Sequence, residues 1–414
     1  MIEVTYYYSA CVGIRTPEAS VLCDPWFTDG VFDGSWYQYP KLADPLGVIG
    51  SYDYVYISHI HPDHYDPIFL RMYLASHPSA RIIIGDFPLN FLSNRMQADH
   101  IPHEVCEKIS IGETIVRIIP NQYPSGIDSA LVVKRGEQSV ANMNDNLYNE
   151  DHLEKVRGVC GAPTIALTGY TGAGPYPQTF YSDPETLAIK AAEKREEFFQ
   201  RYLRMQSALK PQVTVPFAGQ YILGGRLHVL NKFRGVSDAV EVTGFDPTAV
   251  VLQGGGQGSI ATNSLRPTAE RTTPFDLAAM ESYAASLADR PMLYDTYFGD
   301  MPLQTIPFRR LLPKAYENAS RRSACSEDSY ICIKLGGEWV VANVREGSAQ
   351  CLFTSDVSSF QPRWEIEIDP RYLYGLVTGL FHWNNASIGS HFTSSRTPDI
   401  FNRDAVGFLN FFHV

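Results

Sequence analysis

The sequence predicts an α/β protein of two domains built around a metal site, and three observations support this prediction. The chain has 414 residues, more than a single hydrophobic core usually organises. The β-branched and aromatic run at residues 54–57 is typical of a buried strand, and it leads into a polar turn with three histidines. From about residue 262 the chain changes to alternating strands divided by turn residues. We therefore predict one domain over residues 1–261 and a second, α+β domain over residues 262–414.

The composition excludes several classes of protein. Hydrophobic residues make up 44% of the chain and charged residues 19%, as in an ordinary globular protein with an ample core. The net charge of −11, without a basic stripe, argues against a nucleic-acid backbone as a partner. The sequence has no apolar run of membrane-spanning length and no basic region at its start, and its seven cysteines form no C-x-x-C pair. We therefore expect a cytoplasmic protein with reduced thiols that acts on a small-molecule substrate and binds neither nucleic acid nor a membrane.

The polar turn after the predicted strand at residues 54–57 has the composition of a metal site. His59 and His61 lie two residues apart, so an extended segment directs both side chains to the same side. Asp63 and His64 follow them and would serve a second ion. Imidazole nitrogens and carboxylate oxygens suit zinc or iron, so we expect one or two ions of either metal.

A helix start directly after the motif argues against a surface loop that is rich in histidine by chance. Asp66 followed by Pro67 is typical of an N-cap and a first helical residue. On such a strand-to-helix turn, the pattern His-x-His-x-Asp-His resembles the signature of the metallo-β-lactamase superfamily. The resemblance implies an αββα metallo-β-lactamase sandwich over about residues 1–260, with one or two metal ions at the sheet edge.

A carboxylate further along the chain matches another landmark of that superfamily. Asp145 follows a predicted strand that begins at Ser139, and Asn144 and Asn146 flank it in a polar turn. Taken alone, an aspartate in a turn is more often a cap. The resemblance implies instead that Asp145 bridges the two metals, which completes the predicted ligand set of His59, His61, Asp63, His64 and Asp145.

Two departures from the superfamily pattern leave each metal short of one histidine. The segment at residues 120–124 offers Asn121 and Tyr123 where the first metal usually gains a third histidine, and Gln253 lies where the second gains its last. Such neutral donors weaken zinc binding and leave room for iron. Asp63, which would orient a metal-bound water, and Tyr123 are the candidate catalytic residues. Among other histidines we consider His228 first as a substitute, and we expect surface or capping roles for His100, His103 and His152.

A closer resemblance extends over about two thirds of the chain. The segments Cys23-Asp-Pro-Trp, Asn142-Met-Asn-Asp and Pro216-Phe-Ala-Gly, with the glycine-rich loop at 169–177, resemble the catalytic region of CMP-N-acetylneuraminate hydroxylases, which are iron-dependent monooxygenases. These hydroxylases carry a Rieske centre, and its paired Cys/His motifs do not occur in this sequence. An oxygenase reaction would therefore need a separate electron donor. From the residues alone, Asp24 is interpreted as a turn cap, and Arg226 and Arg234 are the arginines near the expected site entrance.

The second domain is predicted to be an antiparallel sheet followed by helices. Strands are expected at 329–335, 339–343, 350–353 and 364–369, and helices around 372–380 and 405–412. This order resembles a sterol-carrier-like domain. We expect the domain to close over the metal site, with His382 and His391 in packing roles.

Three functions remain open from the sequence. The first is hydrolysis by a metal-activated water, the second is hydroxylation at non-haem iron with electrons from a separate donor, and the third is binding without catalysis. Because the Rieske motif is absent, the sequence narrowly favours a metal-dependent hydrolase acting on a small molecule.

Overall fold

The computed structural model describes residues 1–123, 126–348 and 351–414. Two predictions fall partly outside these ranges. Residue 124 belongs to the segment at 120–124, and residue 350 begins the strand predicted at 350–353. In chain order the described strands are β1 (Glu3–Tyr8), β2 (Cys11–Arg15), β3 (Ser20–Cys23), β4 (Trp36–Tyr37), β5 (Tyr54–Tyr56), β6 (Arg81–Ile84), β7 (Glu104–Val105), β8 (Lys108–Ile111), β9 (Thr114–Asn121), β10 (Asp128–Arg135), β11 (Gln138–Asn142), β12 (Ile165–Gly169), β13 (Val213–Phe217), β14 (Ile222–Leu223), β15 (Ser259–Ala261), β16 (Tyr330–Leu335), β17 (Glu338–Asn343), β18 (Cys351–Thr354), β19 (Arg363–Ile368) and β20 (Phe392–Thr397).

The helices connect these strands and cover the sheets. They are α1 (Val31–Gly34), α2 (Pro45–Ile49), α3 (Pro67–Ser76), α4 (Phe91–Ala98), α5 (Glu150–Cys160), α6 (Pro184–Leu209), α7 (Ala239–Val242), α8 (Leu277–Ser286), α9 (Leu293–Phe298), α10 (Phe308–Ser320), α11 (Pro370–Val377), α12 (Trp383–Ile388) and α13 (Arg403–Leu409), with 3₁₀ segments at Gly225–Phe233 and Leu303–Thr305. Among these described helices, none is both long enough and apolar enough to cross a membrane.

Two sheets form the first part of the chain. One has the strand order β15-β1-β2-β3-β5-β6-β7, and the other has the order β13-β12-β11-β10-β9-β8. Their facing sides share one apolar core, in which Val12 and Ile14 of the first sheet meet Ile118 and Leu131 of the second. The alternation of side chains along each strand supplies this buried face.

Helices cover the outer side of each sheet. On the first sheet, α3 and α4 pack residues such as Phe69 and Met96 against Val55. On the second sheet, α5 and α6 bury residues such as Leu153 and Met205. The layer order is therefore helix, sheet, sheet, helix, and it confirms the predicted αββα sandwich.

The C-terminal part has a core of its own around a five-stranded sheet of order β18-β17-β16-β19-β20. The prediction of a wholly antiparallel sheet is wrong at one pairing, because β16 and β19 run parallel. Alternation of apolar residues reports which face of a strand is buried, but it does not report strand direction. Residues 355–362 carry the chain from β18 to the far side of β16, and this crossover produces the parallel pair. The boundary at residues 261 and 262 remains a prediction.

The C-terminal part packs directly on the sandwich near the histidine motif. The Tyr372 hydroxyl donates a hydrogen bond to Asp33 Oδ2 (2.6 Å), and His391 Nε2 donates to the Phe32 carbonyl (2.7 Å). Gln178 Nε2, in the loop after β12, donates to Ser390 Oγ (3.0 Å). These contacts bring the helix α12 and its flanking residues to the edge where the histidines lie.

Candidate metal centre

The candidate site lies where strands from both sheets end at one edge of the sandwich. β3 and β5 are parallel neighbours, with Cys23 opposite Tyr56, so Asp24 and the histidine motif leave the first sheet side by side. In the second sheet, β10 begins at Asp128 and its antiparallel neighbour β11 ends just before Asp145. Strand pairing therefore gathers residues that are far apart in sequence.

The turn after β5 is held by the helix start that the sequence predicted. The Asp66 side chain accepts a hydrogen bond from the Phe69 amide (2.9 Å), as an N-cap does, and Pro67 is the first residue of α3. Asp66 also accepts from the backbone amides of Phe27 and Thr28, which fixes the segment after β3 against the turn.

The structure brings the predicted ligand residues together. His59 Nε2 lies 2.7 Å from His61 Nδ1, and His64 Nε2 lies 3.4 Å from Asp145 Oδ2 and 3.6 Å from Asp63 Oδ2. His59, His64 and Asp145 each offer one ligand atom, and these atoms all lie within 4.8 Å of one another. His59 and His64 are almost fully buried, whereas 43% of the Asp145 side chain is exposed.

Hydrogen bonds on the far side of each ring determine which histidine nitrogen is free. His64 Nδ1 donates to Asp24 Oδ2 (3.0 Å). The single proton of Ser58 Oγ goes to Asp24, so Ser58 Oγ accepts from His59 Nδ1 (2.9 Å). His61 Nε2 donates to Asn384 Oδ1 (2.8 Å). His59 Nε2 and His61 Nδ1 therefore face the cluster without a proton, and His64 directs its Nε2 toward Asp63 and Asp145. Histidines that bind a metal are usually held in this way, by a hydrogen bond on the far side of the ring.

This arrangement fits a metal ion. With the other ring nitrogens protonated, His59 Nε2 and His61 Nδ1 face each other across 2.7 Å with two lone pairs and no proton. Such lone pairs repel unless a cation binds them, so the two nitrogens suit a metal ion. The carboxylates of Asp63 and Asp145 on the open side supply oxygen ligands and compensating negative charge.

The pKa shifts follow from burial and from the crowding of charges. Burial, with His64 adding to it, holds the pKa of His59 well below its usual value and lowers the pKa of His61 to about 4. Burial also opposes a charge on His64, but the carboxylates of Asp63, Asp145 and Asp24 outweigh it and raise its pKa. Neutral His59 and His61 are in the state that binds a metal, and a divalent cation would replace the extra proton of His64.

The carboxylates are shifted in opposite directions. Burial raises the pKa of Asp63 to about 7 and raises that of Asp128 as well, with Asp145 adding to both shifts. Burial acts the same way on Asp145, but His64 outweighs it and lowers the pKa of that carboxyl group. Three carboxyl groups so close together repel one another when ionised, and a bound cation relieves this repulsion.

Asp24 has a larger role than the turn cap that the sequence suggested. It is completely buried, and besides His64 it accepts hydrogen bonds from the backbone amide and the hydroxyl of Ser58, both at 2.7 Å. Its backbone has a φ of 43°, in the left-handed region, where aspartate is one of the few tolerated residues. Asp24 therefore holds His64 in place. An aspartate that follows a strand next to the histidine strand is the sequence signal for this role.

Asp128 is a further residue of the site that the sequence analysis did not name. Its Oδ1 lies 3.6 Å from His59 Nδ1, and only 16% of its side chain is exposed. Asn146 Nδ2 also approaches Asp128 Oδ1 at 3.5 Å. Its position as the first residue of β10 became meaningful only through the antiparallel pairing of β10 with β11.

The proposed substitutes for the missing histidines lie apart from this network. Tyr123 is 46% exposed and the Arg403 guanidinium lies 5.5 Å from its ring centre, while Asn121 accepts a hydrogen bond from the Tyr123 amide. His228 Nδ1 is bonded to the Gly225 carbonyl. In the described ranges no hydrogen bond joins Tyr123, Asn121, His228 or Gln253 to the three histidines, so their roles stay predictions.

Of the histidines expected at the surface or in caps, one is placed differently. His152 is 3% exposed and its Nε2 donates to the Ile119 carbonyl (2.9 Å), so it belongs to the packing of α5 on β9. His391 is buried against Phe32, in line with a packing role. His382 caps α12 by accepting from the Asn384 amide (3.2 Å).

The αββα layer order is that of the metallo-β-lactamase fold, and the histidine–aspartate cluster at its edge is a candidate metal centre. No protein-family model matches the chain. In solved structures, similar folds include the metallo hydrolase Igni18 of Ignicoccus hospitalis (16% identity, TM-score 0.41, covering 63% of this chain and 98% of that one). Another is CmlA, a diiron β-hydroxylase of Streptomyces venezuelae (16% identity, TM-score 0.39, covering 61% and 53%). At these TM-scores, we base the fold on the layer order alone.

Curated proteins with two different names are similar to about half of this chain. The chain is 30% identical over 233 residues to a protein of Mycobacterium tuberculosis that carries the name Rieske 2Fe-2S iron-sulfur protein, covering 53% of this chain and 44% of that one. It is 25% identical over 232 residues to the cytidine monophosphate-N-acetylneuraminic acid hydroxylase of Asterias rubens, covering 53% and 35%. The matched region thus spans less than half the length of these relatives. The similarity to CMP-N-acetylneuraminate hydroxylases that the sequence motifs indicated is confirmed, but it covers 53% of the chain and not the two thirds that we expected.

Proposed function

We propose that this protein is a non-haem iron-dependent oxygenase that hydroxylates a small molecule with electrons from a separate donor. The observation that carries the proposal is the donor set of His59, His64 and Asp145, whose ligand atoms lie within 4.8 Å of one another. With His61 and Asp63 beside them, this is a mixed set of imidazole and carboxylate donors, which suits non-haem iron, and the further histidines expected of a zinc site are replaced by the segments of Tyr123 and Gln253. The similarity to hydroxylases supports the same choice.

The chain contributes positioning and a dry environment. When bound, iron would supply the activation of O₂, and the overall reaction consumes O₂, two electrons and two protons while it converts a C–H bond to C–OH and releases water. Asp24, Ser58 and Asn384 hold the three imidazoles with their free nitrogens toward the metal. Phe32 lies with its ring centre 6.3 Å from that of His61 and 4.4 Å from that of Trp36, and these aromatic rings exclude water from one side.

Hydrolysis is the second candidate, and the position of Asp63 favours it. The Asp63 carboxyl group is buried with its Oδ2 3.6 Å from His64 Nε2, where it could accept a proton from a water bound at the cluster. This was the function that the sequence narrowly favoured. Hydrolysis needs neither O₂ nor electrons, whereas the oxygenase reaction needs both, so the presence or absence of O₂ and a reductant distinguishes the two candidates.

The test is to prepare the metal-free protein, to reconstitute it separately with zinc and with ferrous iron, and to measure bound metal and turnover. Esters, lactones, phosphodiesters and sulfate esters are screened with and without O₂ and a chemical reductant, and hydroxylation is followed by O₂ consumption and product mass. We expect turnover only with iron, O₂ and reductant. Turnover with zinc in the absence of O₂ would replace the oxygenase by the hydrolase.

A pair of variants tests the site itself. Replacing both His59 and His61 with alanine should abolish bound metal while the far-UV circular dichroism stays unchanged. His103→Ala is the matched control, because His103 bonds Ser93 outside the cluster, and it should retain wild-type metal content. Full metal occupancy in the double variant would contradict the assignment of the metal centre.

A further inference from the structure

We propose that Arg234, with the charge of Lys194 nearby, forms a buried site for an oxyanion, a carboxylate or phosphate group of the substrate. The assignment of that group to the substrate rests on the proposed function, whereas the binding of an oxyanion is a property that can be measured without turnover. The site lies at one end of a row of packed aromatic rings, Tyr221, Trp36 and Phe32, which leads to His61 and which we call the aromatic wall of the metal centre. Its ligand class follows from an excess of buried hydrogen-bond donors and positive charge.

Arg234 is a buried cation without a counter-ion. Its residue is 3% exposed, and Nε and Nη1 are buried with no hydrogen-bond partner among the described residues. By comparison, the half-exposed Arg226 pairs with Asp295, and the largely buried Arg271 pairs with Asp238 at 2.8 Å. No such ion pair with Arg234 exists in the described part of the chain. A buried guanidinium group that has no carboxylate partner and leaves two of its nitrogens without an acceptor is costly, and an anion supplies both the charge and the acceptors.

Lys194 adds a second buried positive group. It lies on α6, is 7% exposed, and its Nζ donates to the carbonyls of Tyr176 and Arg234, both at 2.9 Å. Burial, together with the charge of Arg234, lowers the pKa of Lys194 to about 7. Because Lys194 Nζ is bonded to the backbone of Arg234 itself, its charge lies close to this residue and adds to the positive potential that would attract an oxyanion.

Aromatic rings connect Arg234 to the histidines. The Arg234 guanidinium lies 4.3 Å from the ring centre of Tyr221, and Tyr221 stacks on Trp36 at 3.4 Å with an angle of 6° between the rings. Trp36 packs on Phe32, which contacts the His61 ring. Arg234 therefore belongs to the same aromatic cluster as the histidine site, and an anionic group of the substrate bound at Arg234 would hold the substrate against this cluster.

The wall also offers a further unused donor. The indole Nε1 of Trp36 is buried and has no hydrogen-bond partner in the described ranges. An indole N–H can only donate, as can a guanidinium group, so the unsatisfied groups require acceptor oxygens. A purely structural cation–π contact with Tyr221 would leave Arg234 Nε and Nη1 and Trp36 Nε1 unsatisfied. The donors therefore point to an oxyanion in preference to a neutral or cationic ligand.

The experiment measures the affinity of the full-length protein for inorganic phosphate and for acetate by calorimetry. Wild-type protein should bind at least one of the two, and the anion that binds more tightly identifies the substrate group as phosphate or carboxylate. Arg234→Gln should weaken binding at least tenfold, whereas Arg226→Gln, with the same change of charge, should bind as wild type does. No binding by wild type, or equal affinity in Arg234→Gln, would overturn the proposal.

Two further variants separate this site from the metal centre and from misfolding. The His59→Ala/His61→Ala protein should keep the wild-type affinity, because anion binding at Arg234 does not require the metal; loss of binding there would show that the anion binds to the metal and would overturn the site. Trp36→Phe keeps an aromatic ring but removes the indole N–H, and it should weaken anion binding several-fold with unchanged circular dichroism. If Arg234→Gln does not fold, unchanged affinity in Trp36→Phe would overturn the proposal instead.

Discussion

Asn384 connects the C-terminal part of the chain to the metal centre, and its removal should weaken metal binding. Replacement by leucine keeps the size of the side chain but removes the oxygen that accepts from His61 Nε2 at 2.8 Å. The ring of His61 is then free to rotate or to change its protonated nitrogen, so Nδ1 no longer faces His59 at all times.

The size of the effect can be worked out in two ways. An unsatisfied buried donor costs about 1–3 kcal/mol. Partners that orient metal-binding histidines are typically worth about 10–100-fold in metal affinity, or roughly 1.4–2.8 kcal/mol at 1.4 kcal/mol per tenfold. The two ranges agree, so we expect the metal Kd of Asn384→Leu to rise about 10–100-fold.

The assay is competition for ferrous iron or zinc against a chelator of known affinity. Asn385→Leu on the same helix is the matched control, because no hydrogen bond of the Asn385 side chain is found in the described ranges, and it should bind metal as wild type does. Asn384→Asp keeps an acceptor and should restore most of the affinity. An unchanged Kd in Asn384→Leu would refute the reasoning that this contact orients His61.

Two further predictions concern carboxylates. Asp145→Asn removes the negative charge beside His64, so we expect the ratio of metal to protein to fall, with one ion lost more readily than another; an unchanged ratio and activity would mean that Asp145 is only a turn residue. Burial raises the pKa of Asp33 to about 6 in the folded protein, above its ordinary value of 3.8, so its contribution to stability is present below about pH 3.8 and is lost as the pH rises through about 6. Relative to wild type, Asp33→Asn should therefore gain free energy of unfolding between about pH 4 and pH 7 in denaturant titrations, and a constant difference over that range would contradict the shift.

Local patterns in the sequence were sufficient for the parts of the site that lie on one segment. The strand, the spacing of His59 and His61, and the helix start at Asp66 involve only neighbouring residues, and their preferences are encoded there. In each case the physical cause of the structure lies within about ten residues of the side chain. Asp145 is different, because its local pattern, a strand end followed by a polar turn, favours a cap, and only the family resemblance indicated a metal ligand.

The residues that the sequence did not reveal depend on pairing between distant segments. Asp24 orients His64 only because β3 and β5 are parallel neighbours, and Asp128 reaches His59 only because β10 starts at the same edge. Asn384 follows His61 by 323 residues and meets it through the packing of the C-terminal part. Neither residue type nor spacing predicts such contacts, because they are determined by the register and direction of strands.

The hydrogen bond between His61 and Asn384 also couples metal binding to the packing of the C-terminal part on the sandwich. If packing of the C-terminal part against the sandwich raises the affinity for the metal by some factor, then the bound metal must favour that packing by the same factor. Removal of the metal would therefore loosen the contacts of residues 382–391 with Phe32 and Gln178, far beyond the ligands themselves. The bound metal would then stabilise the contact between the sandwich and the C-terminal part. Removal of the metal would be visible as faster amide hydrogen exchange in α12.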